Sequence, residues 1–331
     1  MADKNGSHPL RIILLDSPRT CSHLFWKLFQ SHPQLEHGAG HSWVNPMTYG
    51  PERIQRRLRH NPEAEMASAE WLKAMPDRAK ETYQTTLVAY EKTIQDIESK
   101  GKIPFMKEHL LSVIQQDIIL STLRDNDFSW PSDRNPSCIP EALLLSFTPV
   151  FLIRHPALMI GSNYRVASKL MKLQIEDEDF IMQISLRWTR LMMDYYRAQG
   201  RKPILVDAED VLDHAEVLMP KLCGLLGIDA AGIVYSWDAI PKEQWPQDDA
   251  GIVETFIGTF MSSSGIMKRE YREEADDVQQ SRDPVDIEVE TQKWAKLYDS
   301  DIANRLKGRV EAEMADYEYL RQFRLTASWT R

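Results

Sequence analysis

Six consecutive residues, Ser17-Pro18-Arg19-Thr20-Cys21-Ser22, stand between a short apolar run and an amphipathic stretch, and their types suit the holding of an anion. Backbone N–H groups at the start of a helix have no intrahelical partner, so an anion there gains hydrogen bonds and a favourable dipole. Arg19 adds a fixed charge, and Thr20 and Ser22 add hydroxyls, with His23 next in line. The stretch holds no glycine, so it lacks the Gly-x4-Gly-Lys-Ser/Thr frame of a nucleotide hydrolase. Read alone, it is equally an ordinary strand-turn-helix with a solvated Arg19. Two further clusters carry chemistry. Lys107-Glu108-His109 places ionisable groups at the end of one apolar run, and Arg154-His155-Pro156 follows another.

Each cluster follows an apolar run that reads as a buried parallel strand: 12–15 before the first, 103–106 before the second, 149–153 before the third. A fourth strand is expected at 202–206. Leu24, Phe25, Leu28 and Phe29 mark the first helix, and helical spacing recurs over 53–100, 110–123, 157–172, 177–198 and 208–226, with Gly227 as a C-cap. The alternation predicts an α/β fold, a parallel sheet with helices on both faces. Ligands of such sheets bind outside the carboxyl ends of the strands, where all three clusters fall. The chain reads as a single domain: an α/β core over 11–230, a helical cover over 50–100 on the substrate side, an irregular segment over 231–290 that is mobile around 268–290, and a closing helical segment over 291–325. The segment 31–51, with His32, His37 and His41, reads as loop, and its histidines have no ligand partners at metal spacing, so no metal is expected.

Over 331 residues, hydrophobic residues make up 43% and charged residues 27%, as in a soluble globular protein. A net charge of −9 and a pI near 5.6 argue against nucleic acid or an anionic membrane surface as partners. No apolar run is long enough to span a membrane. Cys21, Cys138 and Cys223 are odd in number and far apart, which suits a reducing cytoplasm better than a disulfide framework. If Cys21 sits at a helix N-terminus beside Arg19, both should favour its thiolate; a core-facing, inert sulfur is the alternative.

Three segments together resemble the sulfotransferases that use 3′-phosphoadenylyl sulfate (PAPS). Residues 17–23 resemble the family's Pro-Lys/Arg-Ser-Gly-Ser/Thr-Ser/Thr loop for the 5′-phosphosulfate. Phe105-Met-Lys-Glu-His-Leu resembles its Lys-x-His strand end, and Phe151-Leu-Ile-Arg-His-Pro with Ser162 resembles its Arg-x-Pro…Ser element for the 3′-phosphate. The later 202–227 stretch and Tyr317-Glu-Tyr-Leu are also similar to family segments. The resemblance implies a P-loop-like sulfotransferase fold and a PAPS-dependent enzyme, with likeness to fungal members of secondary metabolism. It also implies a small-molecule acceptor. It gives His109 the role of base, with Lys107 and Arg19 as catalytic cations. The donor would be held by Ser17, Pro18, Arg19, Thr20, Cys21, Ser22, His23, Arg154 and Ser162, with Lys268 and Arg269 as the nearest counterpart of the family's late Arg-Lys-Gly segment. Cys21 stands where the family loop has glycine, and Leu24 where it has an adenine-stacking aromatic. Two other readings keep the fold: a donor-independent acid/base enzyme, such as a cyclase or isomerase, and a non-catalytic anion- or metabolite-binding protein. The oligomeric state, homodimer included, is left open.

Overall fold

The computed structural model describes residues 9–54, 61–125, 129–246, 252–267 and 285–327. Five strands, β1 (Ile12–Asp16), β2 (Leu35–Gly40), β3 (Ile103–His109), β4 (Thr148–Ile153) and β5 (Ile204–Asp207), form one sheet in the order β2-β3-β1-β4-β5. Every pairing is parallel. In chain order the helices are α1 (Ser22–Leu28), α2 (Val44–Thr48), α3 (Pro62–Ala74), α4 (Tyr83–Ser99), α5 (Leu110–Val113), α6 (Gln116–Asp125) and α7 (Glu141–Leu144). They continue with α8 (Pro156–Leu170), α9 (Glu178–Ile184), α10 (Arg187–Ala198), α11 (Ala208–Leu226), α12 (Ile252–Met261), α13 (Ile287–Leu297) and α14 (Ser300–Arg321).

The apolar runs are strands because both faces are covered. Ile13, Leu15, Met106, Phe151 and Ile153 face a core that includes Tyr90 and Ile94 of α4, Trp188 of α10 and Leu306 of α14. Ile12, Leu14, Phe105, Val150 and Leu152 face the opposite core, against Phe25 and Leu28 of α1 and Leu218 and Leu222 of α11. The expected α/β class, with helices on both faces, is what the chain adopts. Gly227 ends α11 with φ 74°, as its C-cap role requires. Among the described residues no helix is long and apolar enough to cross a membrane.

Three expectations need correction. The segment 31–51 is not simply loop: it supplies the edge strand β2 and the short α2. Its glycines hid it; at Gly38 a Cβ would come 2.4 Å from Met106 Sδ, so a larger residue there would have to move that side chain. The helix over 177–198 is broken at Ser185, where the Leu186 N–H turns out of the ladder to donate to Glu313 Oε2 at 2.7 Å. The irregular stretch 231–290 contains α12, and α13 begins within it at Ile287. Of the segment expected to be mobile, residues 268–284 lie outside the described residues.

Candidate active site at the carboxyl edge of the sheet

Parallel pairing of β1 with β3 sets Asp16 opposite His109 and Leu14 opposite Lys107. Side chains alternate along a strand, so Lys107 and His109 share the face of Phe105, while Glu108 turns to the face of Met106. His109 Nδ1 lies 2.8 Å from Asp16 Oδ1, and Asp16 has no solvent exposure. Burial pushes the Asp16 carboxyl up, but the His109 imidazole and the Lys107 ammonium together overcome this and hold it below the usual carboxylate range. An ionised carboxylate only accepts, so Nδ1 carries the hydrogen and Nε2 is left to take a proton. Lys107 is itself buried, which pulls its pKa down against the opposing pull of Asp16 and Glu108.

The loop after β1 gets its shape from two left-handed residues, Arg19 at φ 70° and Cys21 at φ 63°. Cys21 thus takes the glycine-like conformation that the resemblance requires there, and it caps α1. Its sulfur does not behave as the loop position suggested. The residue packs against the α1–α11 core beside Leu24, and burial pushes the thiol up, outweighing Arg154 and Arg19. Thr20 Oγ1 donates to the Ser17 carbonyl at 2.9 Å, and the buried Ser17 hydroxyl has no hydrogen-bond partner.

The structure brings Ser162, expected beside Arg154 at the 3′-phosphate, to Arg19 of the 5′-phosphosulfate loop instead. Arg19 Nε donates to Ser162 Oγ at 3.0 Å and its Nη1 to the Phe256 carbonyl of α12 at 2.8 Å. Arg154 Nε donates to Glu209 Oε1 at 3.0 Å, and its Nη1 reaches the Arg19 carbonyl at 3.4 Å. Arg165 adds a third nearby cation, and together with burial it depresses the Arg19 pKa. His23 is exposed, its ring 5.9 Å from Phe260 and 6.4 Å from His41. The aromatics near the expected adenine position are engaged internally: Trp26 stacks on Phe105 at 4.8 Å, and His37 lies 4.2 Å from Trp26. Lys268 and Arg269 lie outside the described residues.

Two site residues escaped the sequence reading. Asp16 closes the apolar run of β1, and a lone carboxylate ending such a run was the only signal. His41 gave none. Its backbone is left-handed at φ 61°, its N–H donates to the Lys107 carbonyl at 2.8 Å, and its ring stacks on His109 at 3.8 Å. Both His41 ring nitrogens are buried without a partner, and burial, followed by His109 and Lys107, keeps the ring neutral well below its ordinary range. Glu108 holds this turn from the other side, accepting from the N–H groups of Ser42 at 3.0 Å and Trp43 at 3.4 Å.

Asp16, His41 and His109 each present a ligand atom, all within 4.8 Å of one another. The two imidazole planes, however, are tilted by only 27°. A metal bound in the plane of one ring therefore lies well outside the plane of the other, and shared ligation needs a ring to rotate. Beyond His41 opens a cavity of about 610 Å³, bounded by 39–42, Val44 and Asn45 and by residues of 78–93 that include Arg78, Glu81 and Tyr90.

No family model matches the chain. It is 26% identical over 98% of its length to "Sulfotransferase ppzF" of Metarhizium majus (strain ARSEF 297), covering 99% of that protein. It is 25% identical over 96% of its length to the protein of the same name in Metarhizium rileyi (strain RCEF 4871), covering 97% of it. Among solved structures, similarity is found to the sulfotransferase domain from the Synechococcus PCC 7002 olefin synthase, with TM-score 0.42, 16% identity, and coverage of 80% of this chain and 86% of that one. The sulfotransferase domain from the curacin biosynthetic pathway gives TM-score 0.41 and 16% identity over 88% of this chain and 98% of that one. The near full-length similarity to the two Metarhizium proteins bears out the sulfotransferase resemblance read from residues 17–23, 105–110 and 151–162, and with it the expectation of an enzyme.

Proposed function

We propose that the chain transfers a sulfuryl group from PAPS to a hydroxyl of a small acceptor, with His109 as the general base. The observation that carries this reading is the 2.8 Å hydrogen bond from His109 Nδ1 to the buried Asp16, beside Lys107 and the Arg19 loop. The loop residues fit a phosphosulfate: the backbone is left-handed at Cys21 without glycine, the buried Ser17 hydroxyl is unpartnered, and Arg19, Arg154 and Arg165 supply positive charge. In the transfer, the S–O bond to the 5′-phosphate breaks as a new S–O bond forms to the acceptor oxygen. The acceptor proton passes to His109 Nε2, and adenosine 3′,5′-bisphosphate leaves. Such transfer needs charge neutralisation and in-line positioning more than covalent chemistry by the protein. Lys107 and Arg19 meet the first need, and Asp16 fixes the orientation of the base.

A second reading, a donor-independent acid/base enzyme using the Asp16–His109 pair, is favoured by one observation: Arg154 is already ion-paired with Glu209 at 3.0 Å. Calorimetric titration with adenosine 3′,5′-bisphosphate separates the two. Binding in the micromolar range, with roughly 10²–10⁴-fold slower sulfuryl transfer to a phenol in His109→Ala, supports transfer. No binding at millimolar nucleotide would favour the donor-independent enzyme.

A further inference from the structure

The cavity beyond His41 has a chemical character of its own. Its floor is Tyr90 and Thr86 of α4, both buried, and the Tyr90 hydroxyl and the Thr86 Oγ1 have no hydrogen-bond partner. Thr85 and Thr93 add further hydroxyls on the same helix. Two opposite charges stand on the wall. Arg78 is exposed, with no ion pair among the described residues and only the Tyr49 ring near it at 6.0 Å. Glu81 accepts from the Asn45 amide, 3.1 Å from each of its oxygens, and has no cation beside it within ion-pair distance among the described residues. His41 also lines the cavity, and its ring stacks on His109 at 3.8 Å.

We propose that this cavity is the acceptor subsite and that it takes a zwitterionic, amino-acid-like hydroxyl compound, its carboxylate on Arg78, its ammonium on Glu81 and its hydroxyl passing His41 to His109. The proposal rests on the sulfuryl-transfer reading for what happens to the hydroxyl, but not for the recognition. Unpaired charges of both signs on one wall match an acceptor carrying both. A volume of about 610 Å³ is that of an ordinary small-molecule pocket. Gly40 lines the same space, and a Cβ there would meet nothing within 4 Å, so a side chain can be introduced at this edge of the cavity.

Four phenols that share the 4-hydroxyphenyl group and carry different side-chain charges test this: p-cresol, tyramine, 3-(4-hydroxyphenyl)propionate and L-tyrosine. Their affinities are measured by calorimetry on the full chain, with and without saturating adenosine 3′,5′-bisphosphate. L-Tyrosine should bind at least tenfold more tightly than p-cresol, with the singly charged probes between them. Arg78→Ala should cut the L-tyrosine to tyramine affinity ratio about tenfold, Glu81→Gln should cut the L-tyrosine to propionate ratio similarly, and Gly40→Leu should abolish L-tyrosine binding. Equal affinities for all four, no detectable binding of L-tyrosine, or ratios unmoved by Arg78→Ala would overturn the proposal. Selective L-tyrosine binding in a chain that ignores the nucleotide would keep the subsite and refute sulfuryl transfer instead.

Discussion

Replacing Asp16 by Asn isolates the contact on which the proposed chemistry turns. The side chain keeps its shape and its neighbour Thr20, whose Oγ1 lies 3.3 Å from Oδ2. What changes is the partner of His109 at 2.8 Å, from a buried carboxylate held ionised to a neutral amide. A hydrogen bond to a charged group contributes about 1.5–3 kcal/mol. That contribution grows as His109 gains a proton, so its loss falls on the transition state. At 1.36 kcal/mol per factor of ten, kcat should drop about 10- to 160-fold. KM for the acceptor and affinity for adenosine 3′,5′-bisphosphate should move less than threefold, because the isosteric amide keeps the contact to Thr20 by which Asp16 touches the donor loop. The assay follows nucleotide release from PAPS with L-tyrosine as acceptor, alongside calorimetry of the nucleotide. A kcat within threefold of the parent, while His109→Ala is crippled, would refute the claim that Asp16 orients and charges the base.

Glu313 caps the break between α9 and α10, and burial pushes its carboxyl up to about 7. A carboxyl raised on folding adds stability that is complete below its unfolded pKa, near 4.5, and is lost as pH rises through about 7. Melting temperature should fall across that window, by an amount equivalent to up to about 3 kcal/mol, and Glu313→Gln should flatten the slope; an unchanged slope would assign it to other groups. Alkylation of Cys21 should be slow in the free protein, comparable to the buried Cys223, and nearly insensitive to adenosine 3′,5′-bisphosphate. Mass-spectrometric rates far above those of Cys223 would mean the sulfur faces the loop. Gly161→Ala should lower the urea midpoint by the equivalent of about 1–3 kcal/mol, because its Cβ would come 2.5 Å from Trp294 Nε1 between α8 and α13.

What was legible in the sequence follows from how each element is stabilised. β1, β3, β4 and β5 announce themselves because a strand covered on both faces must be apolar throughout. β2 does not: it is an edge strand of Leu-Glu-His-Gly-Ala-Gly, formed because Leu35 is buried and small residues allow the close approach to Met106. Arg19, Lys107, His109 and Arg154 could be picked out because chemistry in a parallel sheet collects where strands end. The Asp16–His109 pairing is a matter of register between strands nearly ninety residues apart, which no local pattern encodes. His41 belongs to the site because a non-glycine residue adopts a left-handed turn under the restraint of Glu108 and the Lys107 carbonyl. For Cys21 the sequence left a thiolate and a core-facing sulfur both open, because helix-end electrostatics favour a thiolate only if the sulfur points outward, and the core packing that turns it inward is a tertiary matter.

Arg19 and Arg154 differ in what an arriving anion must displace. Arg154 has a charged partner, Glu209, so exchanging it for a phosphate replaces one ion pair with another and leaves a carboxylate in need of a partner. Arg19 has neutral acceptors, the Ser162 hydroxyl and the Phe256 carbonyl, so the same exchange turns ordinary hydrogen bonds into charge-assisted ones, about twice as strong. Binding energy should therefore come mainly from Arg19, at the 5′-end of the nucleotide. Arg19→Ala should weaken adenosine 3′,5′-bisphosphate by about 1.5–3 kcal/mol in calorimetry, and Arg154→Ala by less. Because Arg19 also holds α12 through the Phe256 carbonyl, nucleotide should raise amide exchange at 256–260 in the parent protein. A larger loss in Arg154→Ala than in Arg19→Ala would show that Glu209 yields Arg154 readily, and that the 3′-phosphate end governs affinity.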